Sequence, residues 1–256
     1  MLIGATVIYS LIQNPFETVV SRNVKTMDAK MKGMIMAGMM GLSLILGLMA
    51  VLGGSWLTSD EFMGDEVDDS VEITYGLNAL NIEDPDADCN DEMIEQLEEI
   101  YTGMEAECDG DTLVGAWSMS GQCDFWGDMV ETYEDLGIEG DDLKEITDAE
   151  DDSCAAVTAG TMGTIGMWGG VVLALVATLM MVLPMAGVDA MDAIPEMGQK
   201  VISWGAGGLM LLGMVLWYFL LPDGDSSAGM SLWMAGAAMS IALGSTLIGQ
   251  FIPADE

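Results

Sequence analysis

The sequence contains no histidine, and only six of its 256 residues are lysine or arginine. The first absence removes Ser-His-Asp hydrolysis, Cys-His proteolysis and histidine-ligated zinc, iron or copper. The second excludes nucleic acid as a partner, because six cations cannot neutralise a phosphate backbone. A third absence is local. No residue is charged between Lys32 and Asp60, between Asp152 and Asp189, between Lys200 and Asp223, or between Asp225 and Asp255. These gaps hold 27, 36, 22 and 29 residues. Each exceeds the roughly 20 apolar residues that cross a bilayer core of about 30 Å.

What is present falls into two compositions. Hydrophobic residues make up 51% of the chain, yet 42 residues are acidic and the formal charge is −36. A single compact domain would repel itself on the surface while overfilling its interior. The conflict disappears once the compositions are separated along the chain. Of the 42 acidic residues, 33 lie from Asp60 to Asp152, where Lys144 is the only cation. The sequence therefore predicts an α-helical membrane protein, a four-transmembrane-helix bundle with an acidic α+β disulfide-stapled extracellular domain between spans 1 and 2.

The expected layout has nine segments. Residues 1–32 form a cytoplasmic amphipathic N-terminal segment, 33–57 the first span and 58–160 the extracellular acidic domain. Residues 161–187 form the second span, 188–200 a cytoplasmic loop and 201–221 the third span. Residues 222–228 are a short outer loop, 229–252 the fourth span and 253–256 a cytoplasmic tail. The orientation comes from Arg22, Lys25, Lys30 and Lys32 before the first span and Lys200 between spans two and three, since cations favour the cytoplasmic side. This places the protein in the plasma membrane with both termini cytoplasmic and the bilayer as its first partner. Trp56, Trp168, Trp204, Trp217, Tyr218 and Trp233 lie near span ends, where interfacial aromatics are expected.

Met1–Ile12 is apolar but lacks a basic start and a small-residue cleavage site, so no cleavable signal is expected. Asn14 and Pro15 then suit a helix start, and Phe16, Val19, Val20, Val24, Met27 and Met31 share one face. This predicts a helix lying on the inner membrane surface. In the acidic domain, residues 71–82 read as one long strand or a strand pair, and residues 112–119 as a short strand. Helices are expected over 91–101, 125–136 and 141–148. Gly236, Ser240 and Gly244, Gly166 with Gly170, and Ala37 with Gly41 recur every four residues, a spacing that lets helices approach closely.

All four cysteines, Cys89, Cys108, Cys123 and Cys154, fall in the acidic domain. An even number on an oxidising side predicts two disulfides, with three connectivities open. A straight helix would separate Cys89 from Cys108 by more than 20 Å at about 1.5 Å per residue, unless Gly103 breaks it.

The sharpest chemical motif is Asp84-Pro85-Asp86-Ala87-Asp88-Cys89 with Glu95 at the twelfth position. Acidic residues at positions one, three, five and twelve match a calcium-binding EF-hand loop, with Cys89 where that loop has glycine. Asp84, Asp86, Asp88 and Glu95 are the candidate carboxylate ligands, and Asn90 offers its carbonyl. Calcium is the only cofactor this pattern suggests. The competing expectation is a solvated acidic turn. No acid or base lies inside a span, which argues against an ion pump or proton-coupled carrier. No nucleophile–base constellation is present, so a non-enzymatic role is expected.

The order of features resembles the claudin-like four-span family. Trp56 closes the first span, Gly76-Leu77 follows about twenty residues later, and Cys89 and Cys108 come next. Asn78 stands where that family has tryptophan, and a second cysteine pair is added. The resemblance implies an outer β-sheet packed on the bundle, a Cys89–Cys108 disulfide, and lateral self-association or adhesion. Three roles are therefore expected in order. They are a surface protein for association or envelope structure, an accessory subunit of a membrane transporter or respiratory complex, and a calcium-binding surface sensor. A homo-oligomer or a membrane-complex partner would accompany the first two. The carboxylate surface and the scarcity of lysine also suggest a saline, halophilic setting, where salt screens the repulsion.

Overall fold

The computed structural model describes residues 27–62, 65–68, 70–188, 194–222 and 226–255. Four helices in it are long and apolar enough to cross a membrane. They are α1 (Ala29–Leu52), α4 (Asp141–Met185), α5 (Glu196–Leu220) and α6 (Met230–Phe251), and two shorter helices, α2 (Asp91–Ile100) and α3 (Met119–Asp135), precede α4. The amphipathic helix expected from Asn14 and the apolar start at Met1 lie outside the described residues.

The bundle core is made of small and flexible side chains. Met40, Ala50, Met167, Ala174, Ala206, Met210, Ala238 and Ala242 are all buried. Helices α4 and α5 meet where Gly166 faces Gly213, and a Cβ on Gly166 would stand 2.4 Å from the Gly213 Cα. Only hydrogen fits there, so the two backbones touch. Hydroxyl groups stitch the other seams. Ser43 donates to the Ala238 carbonyl at 2.7 Å, Ser245 to Met36 at 3.1 Å, and Thr246 to Ser203 at 3.1 Å. Each joins two helices by filling a carbonyl's second lone pair. At the far end, Lys32 donates to the carbonyls of Gly249 and Ile252, closing the C-terminus of α6 with a cation.

The acidic domain contributes most of a six-stranded antiparallel sheet. Its strands are β2 (Leu57–Ser59), β5 (Glu72–Tyr75), β6 (Ala79–Asp84), β7 (Met104–Asp109), β8 (Thr112–Ser118) and β9 (Ser227–Ala228). They lie in the order β7-β8-β6-β5-β2-β9. Four further strands are two residues long. Strand β1 (Met27–Asp28) pairs with β10 (Ala254–Asp255), and β3 (Glu61–Phe62) pairs with β4 (Asp65–Glu66). Alternation along β8 sends Leu113, Gly115 and Trp117 to the buried face. Leu80 and Met104, the cross-strand partners of Trp117, are buried with it, as is Ile73. Helices α2 and α3 cover this face. Asn90 caps α2 by accepting from the Met93 N–H, and Asp91 and Glu92 complement its first turn. Ser118 caps α3 through the Gly121 N–H.

Both disulfides are formed, Cys89–Cys108 with Cα atoms 5.8 Å apart and Cys123–Cys154 at 4.8 Å. The first is reached because α2 stops at Ile100 and Gly103 turns the chain at φ +77°, which brings β7 back alongside. Of the sequence alternatives for residues 71–82, the strand pair is the one present.

The span limits differ from the expected ones in three places. Helix α1 ends at Leu52, with Gly53 extended, so residues 53–57 leave the helix. The helix that holds the second expected span begins well before residue 161, at Asp141. Residues 141–148, expected as a separate helix, are the first turns of α4, which continues for 45 residues. At about 1.5 Å per residue it is nearly 70 Å long, twice what the hydrocarbon layer needs. Helix α5 begins at Glu196, five residues before the expected third span. Trp56 and Trp217 also depart from the aromatic-belt expectation, since both are fully buried, whereas Trp168, Trp204, Tyr218 and Trp233 are exposed on the bundle.

Candidate functional site

The sheet and the bundle share a seam, and the seam positions the site. Trp56 donates its backbone N–H to Tyr75 and its indole N–H to Ala50, and its carbonyl accepts from Gly229. Ser231 N–H reaches the Ser55 carbonyl at 2.8 Å, and the Asn81 amide reaches Gly54 at 3.1 Å. The turn between β5 and β6 adds Leu77, buried in the bundle core, and Asn78, which accepts from Thr164 of α4. The sheet is thus hydrogen-bonded to the starts and ends of the spans.

Beside this seam opens a cleft of about 550 Å³. Its floor is the sheet, with Leu57, Tyr75, Leu80 and Trp117. One wall is α3, through Met119, Gln122 and Trp126, and the adjoining wall is α4, through Glu145, Asp148 and Asp152. Glu61 and Phe62 lie on one rim, and Leu221 and Pro222 on the rim at the end of α5. The volume lies within the range of small-molecule sites, and an apolar lining with a few polar groups is their usual character.

The aromatic lining is held by packing. Trp117 stands edge-on to Tyr101 at 5.1 Å and to Phe125 at 5.5 Å, and its indole N–H donates to Thr102. Phe125 in turn meets Trp126 edge-on at 5.3 Å. The Cys123–Cys154 disulfide ties α3 to α4 and so sets the distance between the walls.

Among the described residues, the charged groups lining the cleft are all carboxylates, namely Glu61, Glu145, Asp148 and Asp152. Lys144 approaches from outside through its ion pair with Asp148, one helical turn on, and that contact raises the lysine's pKa. Tyr75 is pushed above the ordinary tyrosine value, first by burial and then by the charge of Glu61.

The calcium motif is elsewhere, at the opposite end of β6. Asp84 ends that strand, and its carboxylate accepts the Asp86 N–H at 3.0 Å. Asp86 and Asp88 are exposed in the turn, and Glu95 points outward from α2. Asn90 is committed to the cap and also donates to the Asp88 carbonyl, while Cys89 is held to Cys108. Among the described residues no group of three or more His, Cys, Asp or Glu is gathered as a metal ion would need. Asp84, Asp86, Asp88, Asn90 and Glu95 thus stand in and around a helix-entry turn. The cleft had no sequence motif. Its residues come from five strands, two helices and the segment after α5, which no local pattern brings together.

Comparison of the chain with protein-family models, with curated proteins and with solved structures gave no match.

Proposed function

We propose that this is a non-enzymatic, multi-pass plasma-membrane protein with both termini cytoplasmic and residues 58–160 extracellular. It presents the acidic sheet domain as a rigid platform for association at the cell surface or in the envelope. The observation that carries this reading is the seam at Trp56. A domain hydrogen-bonded to Gly54, Ser55, Trp56 and Gly229 moves with the bundle and cannot swing on a tether. A platform held this way offers the same face outward from every copy, which lateral self-association of a claudin-like kind requires. An antiparallel sheet on a four-helix bundle and a Cys89–Cys108 bond support that likeness. The net charge of −32 on residues 60–152, from 33 acidic residues and one lysine, supports a saline exterior.

Thiol labelling of intact cells tests the orientation. Leu136→Cys and Met197→Cys are both at well-exposed positions. The first should react with an impermeant maleimide from outside and the second only after permeabilisation, and the reverse pattern would invert the topology. Native mass of the solubilised protein tests the role. A homo-oligomer supports the platform, whereas a defined complex with other chains would replace it with the accessory-subunit reading.

A further inference from the structure

We propose that the cleft between the sheet, α3 and α4 binds a small alkylammonium cation. Three features of the same space select that class. Its lining is aromatic and aliphatic, which favours a ligand with an apolar surface over a hydrated metal ion. Trp126 and Tyr75, both half-buried, keep part of their rings open to the cleft. Aromatic faces attract cations, and tryptophan most strongly. Among the described residues, the charged groups that line it are all carboxylates, and none is lysine or arginine. Glu145 and Asp152 lie seven residues, about two turns, apart on one continuous helix, so their spacing is built in. An anion would be repelled, a bare metal ion would leave the apolar lining unused, and a neutral ligand would leave the carboxylates unused. An alkylated ammonium satisfies both. The volume of about 550 Å³ admits a group the size of choline together with a substituent.

The end of α5 at Leu221 and Pro222 forms part of the rim, so the same cation can arrive from solution or as a lipid headgroup. The two sources are separable. The full-length protein is placed in nanodiscs of phosphatidylglycerol and titrated calorimetrically with choline chloride at constant ionic strength. Saturable binding is expected. It should weaken at least tenfold in Trp126→Ala and in the Glu145→Gln, Asp152→Asn double variant, with Trp126→Phe intermediate. The two carboxylates are exposed, so the double variant leaves the packed core intact. In phosphatidylcholine nanodiscs, an unchanged titration assigns the site to a free cation, and a suppressed one assigns it to the lipid headgroup. The proposal is overturned if choline shows no saturable binding in phosphatidylglycerol. It is equally overturned if 3,3-dimethylbutan-1-ol, the neutral analogue, binds as tightly, or if the double variant binds as the parent does.

Discussion

The indole of Trp56 meets that of Trp217 edge-on, with ring centroids 5.0 Å apart, and both rings are fully buried between the sheet and the bundle. Their polar atoms are treated differently. The Trp56 N–H donates to Ala50 at 2.9 Å, whereas the Trp217 N–H has no partner. Replacing each by phenylalanine removes similar volume but only one hydrogen bond. Trp56→Phe should therefore cost about 1–2 kcal/mol more than Trp217→Phe, because it leaves a buried carbonyl with one partner fewer. Thermal unfolding of the two variants measures the difference, and equal losses would count against it.

Tyr75 supplies a pH-dependent readout. Its folded pKa lies above the unfolded value, so the neutral phenol is favoured by the fold. The associated stability is complete below the unfolded tyrosine range, near pH 10, and is lost as pH rises through the folded value. Absorbance at the tyrosinate band should include a late step, above the ordinary tyrosine range, from Tyr75. Tyr75→Phe should abolish that late step, and its persistence would reassign it.

The glycines of the bundle divide sharply. Gly166 touches Gly213, while a Cβ on Gly236 would meet nothing within 4 Å. Gly166→Val should separate α4 from α5 and cost several kcal/mol, as overpacking does, whereas Gly236→Ala should be neutral or slightly stabilising. Denaturation in mixed micelles, followed by far-ultraviolet circular dichroism, distinguishes them.

Salt should stabilise the acidic domain. Raising ionic strength from about 0.1 M to about 1 M shortens the screening length from about 10 Å to about 3 Å, which is less than most carboxylate separations on such a surface. The melting temperature should climb with sodium chloride and with potassium chloride alike, and remain flat with an uncharged osmolyte at equal osmolality. A fall with salt would show that attraction dominates the domain's electrostatics.

The two disulfides should differ in consequence. Cys123–Cys154 closes 31 residues and Cys89–Cys108 closes 19, which by chain entropy is about 3–4 kcal/mol for the first and slightly less for the second. Only the first joins a short helix to α4. Cys123→Ser, Cys154→Ser should therefore raise protease sensitivity across residues 119–135, while Cys89→Ser, Cys108→Ser should loosen only α2. Limited proteolysis with mass mapping reads both.

The four apolar helices were legible in the sequence because a charge-free run of that length has a single physical solution in a cell. The alternation of β8 and the amphipathic spacing of α2 were legible for the same local reason. What escaped was set by distant partners. Residues 104–109 (MEAECD) carry three acids and do not read as a strand, yet β8 supplies every partner they need. Trp56 reads as an interfacial anchor until Tyr75, Ala50 and Gly229 are seen to claim it. The first turns of α4 read as a separate helix because composition changes at Asp152, although the backbone hydrogen bonds do not. The carboxylates of the calcium pattern are not drawn together in the described residues, for a comparable reason. Carboxylate spacing along a chain says nothing of whether a capping asparagine and a disulfide have already fixed the loop.

Strand β9 pairs with β2, and β2 with β5, so the sheet takes its last strand from the segment between α5 and α6. A ribosome delivers β2 some 170 residues before β9. The edge of β2 must therefore wait, unpaired, while α4 and α5 are inserted. Completion of the sheet thus reports that α4 and α5 have been threaded, and a chain stalled after α4 would expose an open edge to any protease that surveys unfinished membrane proteins.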